Sequence, residues 1–279
     1  MDSIKKIWSM LLEMILGKKE KKEMAEAVPE FPRWLCSKFS FQGKKDHQED
    51  DVLVWQDEKD VVVLVADGVG SHGHGDWASH CVIHDVFEKT LDALGVGDSP
   101  AEFLKKTCFR AAQEVWNKSS MNPDYKNCGT TLTGFVYRKS VGYWTINVGD
   151  SRVYRINTLK KRIVQLTQDQ VDESISRKMK YAIGQRPDYM RDHIDVIYWN
   201  EDEDLLQQGD VLMAVSDGVC EPFEVPMVGN EKIYTDNDAF RRFMTEMKFD
   251  ENSAIKIVEN SYQNGSRDNI TCALMVKGE

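Results

Sequence analysis

Aspartates stand where the apolar runs of this chain stop. "VVVLVADGVG" (61–70) carries six apolar residues into Asp67-Gly68-Val69, and "VLMAVSDGVC" (211–220) repeats the arrangement at Asp217-Gly218-Val219. Three more acidic turns share the setting: "HQEDD" (47–51) ahead of the first strand-like run, "NVGDSR" (147–152) between two such runs, and "GSRDNIT" (265–271) ahead of the last. Aspartate is a poor strand former and is costly to bury without a partner. One Asp-Gly alone is explained as a turn or a helix cap. Five acidic turns at the ends of core strands point instead to a shared partner, because converging carboxylates repel unless cations sit between them. Hard divalent ions, Mg2+ or Mn2+, take oxygen ligands and suit this donor set. A glycine after the aspartate lets the backbone come close, so that its carbonyl can also bind.

Other chemistries have weaker support. His72 and His74 form an H-x-H pair, but no Cys or Glu stands at zinc-site spacing from it; a loop near the site or in solvent accounts for it. "NEDED" (200–204) lacks the spacing of a calcium loop. No G-x-S-x-G, H-E-x-x-H or G-x-x-x-x-G-K-[ST] occurs, and although "GVGSHG" (68–73) has glycines, its loop opens with an Asp, which argues against dinucleotide binding. The six cysteines (36, 81, 108, 128, 220 and 272) form no C-x-x-C pair and read as reduced thiols of a cytosolic protein. A net charge of −10 argues against nucleic acid as a partner.

These turns must be positioned by a frame. With 279 residues, 41% of them hydrophobic, the chain can bury a sizeable core in one large domain or two small ones. Residues 1–34 differ from the rest. Ile4, Ile7, Trp8, Leu11, Leu12 and Ile15 follow the spacing of an amphipathic helix, Gly17 is placed to stop it, and a charged linker with Pro29 and Pro32 follows. Glu13 interrupts the apolar face, which argues against a signal peptide, and no apolar run reaches the roughly 20 residues of a membrane span. Six lysines against four acids give residues 1–23 a net +2. Peripheral contact of residues 1–16 with an anionic membrane, or with a partner helix, is one expectation; packing of the stripe on the chain's own main domain is the other.

Residues 35–279 form the second unit. Strands are expected at 61–66, 130–138, 141–149, 151–156, 162–166, 211–216 and 269–276, and helices at 76–94, 100–118, 237–247 and 252–263. Two helices, many strands and two more helices is an α+β order, not the strict alternation of a doubly wound sheet.

Taken in order, "KDHQED" (45–50), "VADGVGSHGHGDWAS" (65–79), "GTTL" (129–132), "VGDSRVYRI" (148–156), "QLTQDQ" (165–170), "VSDGV" (215–219) and "SRDNIT" (266–271) resemble the type 2C metal-dependent serine/threonine protein phosphatases, in their bacterial branch. The resemblance covers about residues 36–276. It implies a four-layer αββα sandwich of two mostly antiparallel sheets flanked by helices, with two Mn2+ or Mg2+ ions at one end and a third, weaker ion. Carried over by position, Asp67 bridges both metals, the carbonyl of Gly68 binds one, Asp217 and Asp268 are further ligands, Glu49 and Asp50 fill the acidic pair of the first block, and Asp150 helps to hold the third ion. Lys45 stands where the family usually has a phosphate-holding arginine; it supplies the charge without the bidentate fork. Gln48 replaces the usual Asn or Met. Val69 stands where the eukaryotic branch often has a His, which leaves His72 or metal-bound water as candidates for protonating the leaving group.

The activity so implied is hydrolysis of phosphoserine and phosphothreonine in proteins by a water activated between two metals, without a covalent intermediate. This agrees with motifs that hold carboxylates and no nucleophile. The implied partners are a phosphoprotein substrate and a kinase or regulatory protein, in the cytoplasm or at the membrane periphery. A binding module that keeps the fold without catalysis has Lys45 as its only support. A metal-dependent nuclease fits the ions but not the charge or the motif order.

Overall fold

Alternating residues of one short strand hold the whole frame together. In a computed structural model that describes residues 34–70, 74–95, 99–172, 178–200, 206–226 and 234–278, strand β3 (Asp60–Val69) sits second from the edge of a sheet and is buried on both faces. Val61, Val63 and Val65 point into a core shared with a second sheet, and Val62, Leu64 and Ala66 into a core shared with helices. The period of two in a strand dictates this division. Each fully buried Val or Leu contributes roughly 1.5–3 kcal/mol, which offsets the cost of holding a carboxylate further along the strand.

The sheet around β3 has the order β11-β6-β5-β3-β2, with β2 at Asp50–Gln56, β5 at Leu132–Arg138, β6 at Gly142–Val148 and β11 at Asp195–Asn200. The second sheet runs β1-β15-β12-β7-β8, with β1 at Trp34–Phe41, β7 at Arg152–Asn157, β8 at Arg162–Gln165, β12 at Val211–Val215 and β15 at Ile270–Lys277. All pairings in both sheets are antiparallel. The inner core takes Trp34, Val52, Phe135, Tyr137 and Tyr143 against Leu212, Ala214, Ala273 and Met275. Outside the first sheet lie helix α1 (Gly75–His80), its continuation through residue 95, and α2 (Pro100–Met121). Outside the second lie α5 (Asp238–Glu246) and α6 (Ser253–Gln263), while α3 (Pro187–Met190) and α4 (Asp217–Cys220) are single turns. The layers are α, β, β, α, as the sequence implies.

Local signals account for the long helix α2. Ser99 Oγ accepts from the Glu102 amide while Glu102 Oε2 accepts from the Ser99 amide, and Pro100 opens the first turn. Two local expectations change. The single helix expected over 76–94 is three stretches: α1, a wider turn at Cys81–Phe87 in which the Glu88 amide reaches back to the Ile83 carbonyl, and a tighter one at Glu88–Gly95. The strand expected over 61–66 does not stop at Asp67. It continues through Val69 by exchanging partners, from β5 to the two-residue strand β4 (Gly129–Thr130). The amphipathic helix and linker expected in residues 1–34 lie, up to residue 33, outside the described residues; Trp34 already belongs to β1.

Candidate active site

The carboxylates meet at one end of the sandwich because strand parity turns them there. Asp67 follows Val61, Val63 and Val65 on the inner face of β3, and its register partner is Asp50, which precedes the inner-facing Val52 on β2. Asp217 opens α4 directly after β12, and Asp268 precedes β15, the neighbour of β12.

Hydrogen bonds fix Asp67 and Asp50 from several sides. The Asp67 amide donates to Thr131 Oγ1 at 2.9 Å, and its carbonyl accepts from the Thr131 amide at 2.9 Å and from Thr130 Oγ1 at 3.0 Å. Thr131 Oγ1 in turn meets Ser151 Oγ at 2.8 Å, beside Asp150. Ser216 Oγ donates to Asp50 Oδ2 at 2.8 Å and accepts from the Thr271 amide at 3.0 Å, tying the two sheets together at the site. Asn269 is the busiest brace. Its Oδ1 accepts from the Glu49 amide at 2.9 Å, and its Nδ2 donates to the carbonyls of Gln42 and His47 at 2.8 and 2.9 Å. Gln48 also braces this loop, donating to Ser40 Oγ and accepting from the Asp50 amide.

The glycines of the Asp-Gly pairs serve close approach. A Cβ on Gly68 would lie 2.3 Å from the Gly75 carbonyl oxygen and 2.5 Å from that of Glu49; one on Gly218 would lie 2.0 Å from the Asn269 carbonyl oxygen. No side chain fits at either point. Glu49 lies on the Gly68 side of the site, where its Oε1 accepts from the Gly75 amide at 3.2 Å. Lys45 reaches the cluster from the half-exposed rim, with Nζ 2.8 Å from Asp268 Oδ1.

The electrostatics are those of a cluster short of positive charge. Burial, and then the fields of Asp50, Asp217, Asp150 and Asp268, push the Asp67 carboxyl well above the usual range. Burial, followed by Asp150, Asp268 and Asp50, pushes Asp217 up to about 8. Asp50 is pushed up to about 6, chiefly by burial, with hydrogen bonds from Thr271 and Ser216 opposing it. Burial lowers the Lys45 pKa, but Asp268, Asp67 and Asp217 outweigh it and raise the value overall. Asp50 Oδ1 and Asp217 Oδ1 are buried without a hydrogen-bond partner. Two orphaned carboxylate oxygens in an all-oxygen cluster fit hard divalent cations, whose charge offsets the desolvation that burial imposes on these groups.

Lys45, Asp50, Asp67, Asp150, Asp217 and Asp268 thus come together at one end of the sandwich, with Glu49 beside Gly68. His72 lies outside the described residues. The four braces, Asn269, Ser216, Thr130 and Thr131, were not singled out by the sequence reading, although all stand within blocks already quoted. Their polar side chains beside a buried carboxylate were the available signal. The thiols are poor candidates for a nucleophile: burial pushes Cys36 up to about 12 and Cys81 up to about 11, and raises Cys108, Cys128 and Cys272, while Cys220 is fully buried.

A family model described as "Protein phosphatase 2C" matches residues 40–254. The serine/threonine phosphatase stp of Listeria innocua is 33% identical over 129 residues, which are 45% of this chain and 50% of that protein. The serine/threonine protein phosphatase PstP of Mycobacterium tuberculosis is 27% identical over 224 residues, 75% of this chain and 39% of that one. The chain thus spans half or less of the length of these curated relatives. Among solved structures, a bacterial serine phosphatase superposes with a TM-score of 0.71 at 20% identity, over 88% of this chain and 98% of that one. The catalytic domain of PstP in complex with 2 manganese ions superposes with a TM-score of 0.68 at 20% identity, over 88% and 99%. These likenesses establish the sandwich.

Proposed function

The chain belongs to the protein phosphatase 2C family, and from that premise we propose that it is a Mn2+- or Mg2+-dependent phosphatase acting on phosphoserine and phosphothreonine in proteins. The observation that carries this reading is the pair of buried, unpartnered oxygens on Asp50 and Asp217, set in a cluster whose carboxyl pKa values are raised. Asp67, Asp217, Asp268, Asp50, Glu49 and the Gly68 carbonyl would hold two cations, with Asp150 contributing to a third. Bound divalent cations supply Lewis acidity, offsetting charge on the phosphoryl oxygens and making water nucleophilic near neutral pH.

The chain's own residues do the rest. The Thr130–Thr131 clamp and the Asn269 brace hold the carboxylates in place without a ligand, so little reorganisation is required during turnover. Burial and the neighbouring carboxylates favour the protonated forms of Asp67 and Asp217 in the metal-free site, and cations held there would displace those protons. Lys45, on the rim, can exchange its contact with Asp268 for a phosphoryl oxygen and orient the ester. A non-catalytic module is disfavoured, since every acidic position is filled.

The substrate is a phosphoprotein and the opposing partner a protein kinase. Six free thiols support a reducing, cytoplasmic setting. No helix of the described residues is long and apolar enough to cross a membrane; the apolar stripe in the sequence of residues 1–16, followed by the lysines at 18, 19, 21 and 22, supports peripheral contact with an anionic surface. The test is release of phosphate from phosphothreonine peptides with Mn2+, before and after excess chelator and after thiol alkylation. Loss with chelator and indifference to alkylation support the reading; full activity in chelator sinks it.

A further inference from the structure

Asp51 follows Asp50 by one residue and therefore faces the other way. The pleat turns it to the helix side of β2, the side of Leu53, where two histidines meet it. Asp51 Oδ2 lies 3.2 Å from His80 Nδ1, and Asp51 Oδ1 lies 3.0 Å from His84 Nε2. One ligand atom from each of the three residues lies within 4.8 Å of the others. His80 and His84 are four apart across the entry to the wider helical turn, with ring centroids 4.9 Å apart. Such turns inside helices recur at functional sites.

We propose that Asp51, His80 and His84 form a metal site separate from the carboxylate cluster, one that takes a borderline transition ion such as Zn2+. Bonds of about 2.0–2.1 Å in a tetrahedron set ligand atoms about 3.3 Å apart; each imidazole lies that near to one oxygen of Asp51, so a small turn of the carboxylate brings a single oxygen between them. Two imidazoles and a carboxylate suit Zn2+ better than Mg2+ or Mn2+, which prefer oxygen alone. Water fills the fourth position, since the His80 side chain is 59% exposed and gives the ion a path in. The support behind the ligands is present as well. Glu88 Oε2 lies 2.6 Å from His84 Nδ1, the carboxylate–histidine arrangement that holds the proton on Nδ1 and leaves the Nε2 lone pair for a metal.

The competing occupant is a proton. Burial lowers the His84 pKa, but the carboxylates of Glu88 and Asp51 outweigh it and raise the value overall. An imidazolium strung between two carboxylates would show the same distances, so the experiment has to report coordination.

An ion here would fasten β2, which carries Asp50, to the helix whose Ser79 Oγ already donates to the Glu49 carbonyl at 2.6 Å. Occupancy of the outer site would thereby order the strand that supports the inner one. The inference does not depend on the hydrolytic reading. The test is Zn2+ titration of the full chain in excess Mg2+, with Cu2+ electron paramagnetic resonance as the report on nitrogen ligands. The Asp67→Asn chain should keep one Zn2+ equivalent, a zinc-dependent rise in melting temperature, and nitrogen couplings. The His80→Gln/His84→Gln pair should lose all three, and the His72→Gln/His74→Gln pair should keep them. Glu88→Gln, which spares every ligand, should weaken Zn2+ binding about 10–100-fold. Unchanged binding and couplings in the His80/His84 variant, or their loss in the His72/His74 variant, would overturn the proposal.

Discussion

Asp50 and Asp51 are neighbours in sequence and live in opposite electrostatic worlds. Asp50 faces the interior of the sandwich, nearly inaccessible, among other carboxylates, with one oxygen unpartnered. Asp51 faces the helices, partly exposed, with a histidine on each oxygen. The inner group is surrounded by charge of its own sign; the outer group meets two imidazoles of its own chain. What separates the two is a single step along a pleat, so any one-residue slip of β2 would exchange the two sites and destroy both.

The largest expected effect falls on the inner cluster. Asp67→Asn and Asp217→Asn should each lower Mn2+-dependent turnover of an aryl phosphate by about 10²–10³-fold, the scale on which removing one electrostatic stabiliser acts, with circular dichroism unchanged. Near-native turnover at saturating Mn2+ would make that position a turn residue. Next comes Lys45. Lys45→Ala should raise KM for small aryl phosphates about tenfold, the equivalent of about 1.4 kcal/mol, and Lys45→Arg should restore or improve it through the bidentate fork. Unchanged kinetics in the alanine variant would pass the phosphate role to another cation.

Stability should then respond with opposite signs in the two regions. Without metal and at or above about pH 8, where its carboxyl ionises, Asp217→Asn should raise the melting temperature, since it removes one of several mutually repelling buried carboxylates. Asp51→Asn should lower it slightly, through a loss of stability of about 1 kcal/mol or less, because its histidine partners are part-exposed. Equal signs would break the comparison. The pH dependence follows from the same shifts. Asp217 titrates near 8 in the folded metal-free chain and near 4 when unfolded. The folded state therefore binds the extra proton, and the stabilisation is fully present below about pH 4 and lost as pH rises toward 8. The gain in melting temperature on adding Mn2+ should accordingly grow from pH 5.5 to 8; a constant gain would mean that these carboxyls are already ionised.

The inner cluster was legible in the sequence for a physical reason. A carboxylate at the end of an apolar run breaks the pattern of its strand, and five such breaks point to one cause. The runs at 61–66 and 211–216 and the helical blocks at 100–118, 237–247 and 252–263 are local signals and reappear in place, while the block at 76–94 changes winding twice. Strand β1 was not delimited, because "WLCSKFSF" mixes Ser and Lys with apolar residues and is made a strand by pairing with β15, some 230 residues away. Strand β11 was missed because it is an edge strand whose exposed Ile197 and Tyr198 blur the alternation. The extension of β3 past Asp67 depends on the exchange from β5 to β4, which no local pattern encodes. The outer cluster left a sequence trace, His80 and His84 at the spacing of one helical turn. It needed Asp51, thirty positions upstream, to become more than a pair of surface histidines.

The central claim is that the buried carboxyls of Asp67 and Asp217 exchange protons for divalent cations. Calorimetric titration of the metal-free chain with Mn2+ at pH 7, repeated in buffers of different ionisation enthalpy, counts those protons directly. Release of at least about one proton per chain is expected as the site fills, and less in Asp217→Asn. Mn2+ binding with no proton released, or with the same release in Asp217→Asn and Asp67→Asn as in the parent chain, would contradict the claim.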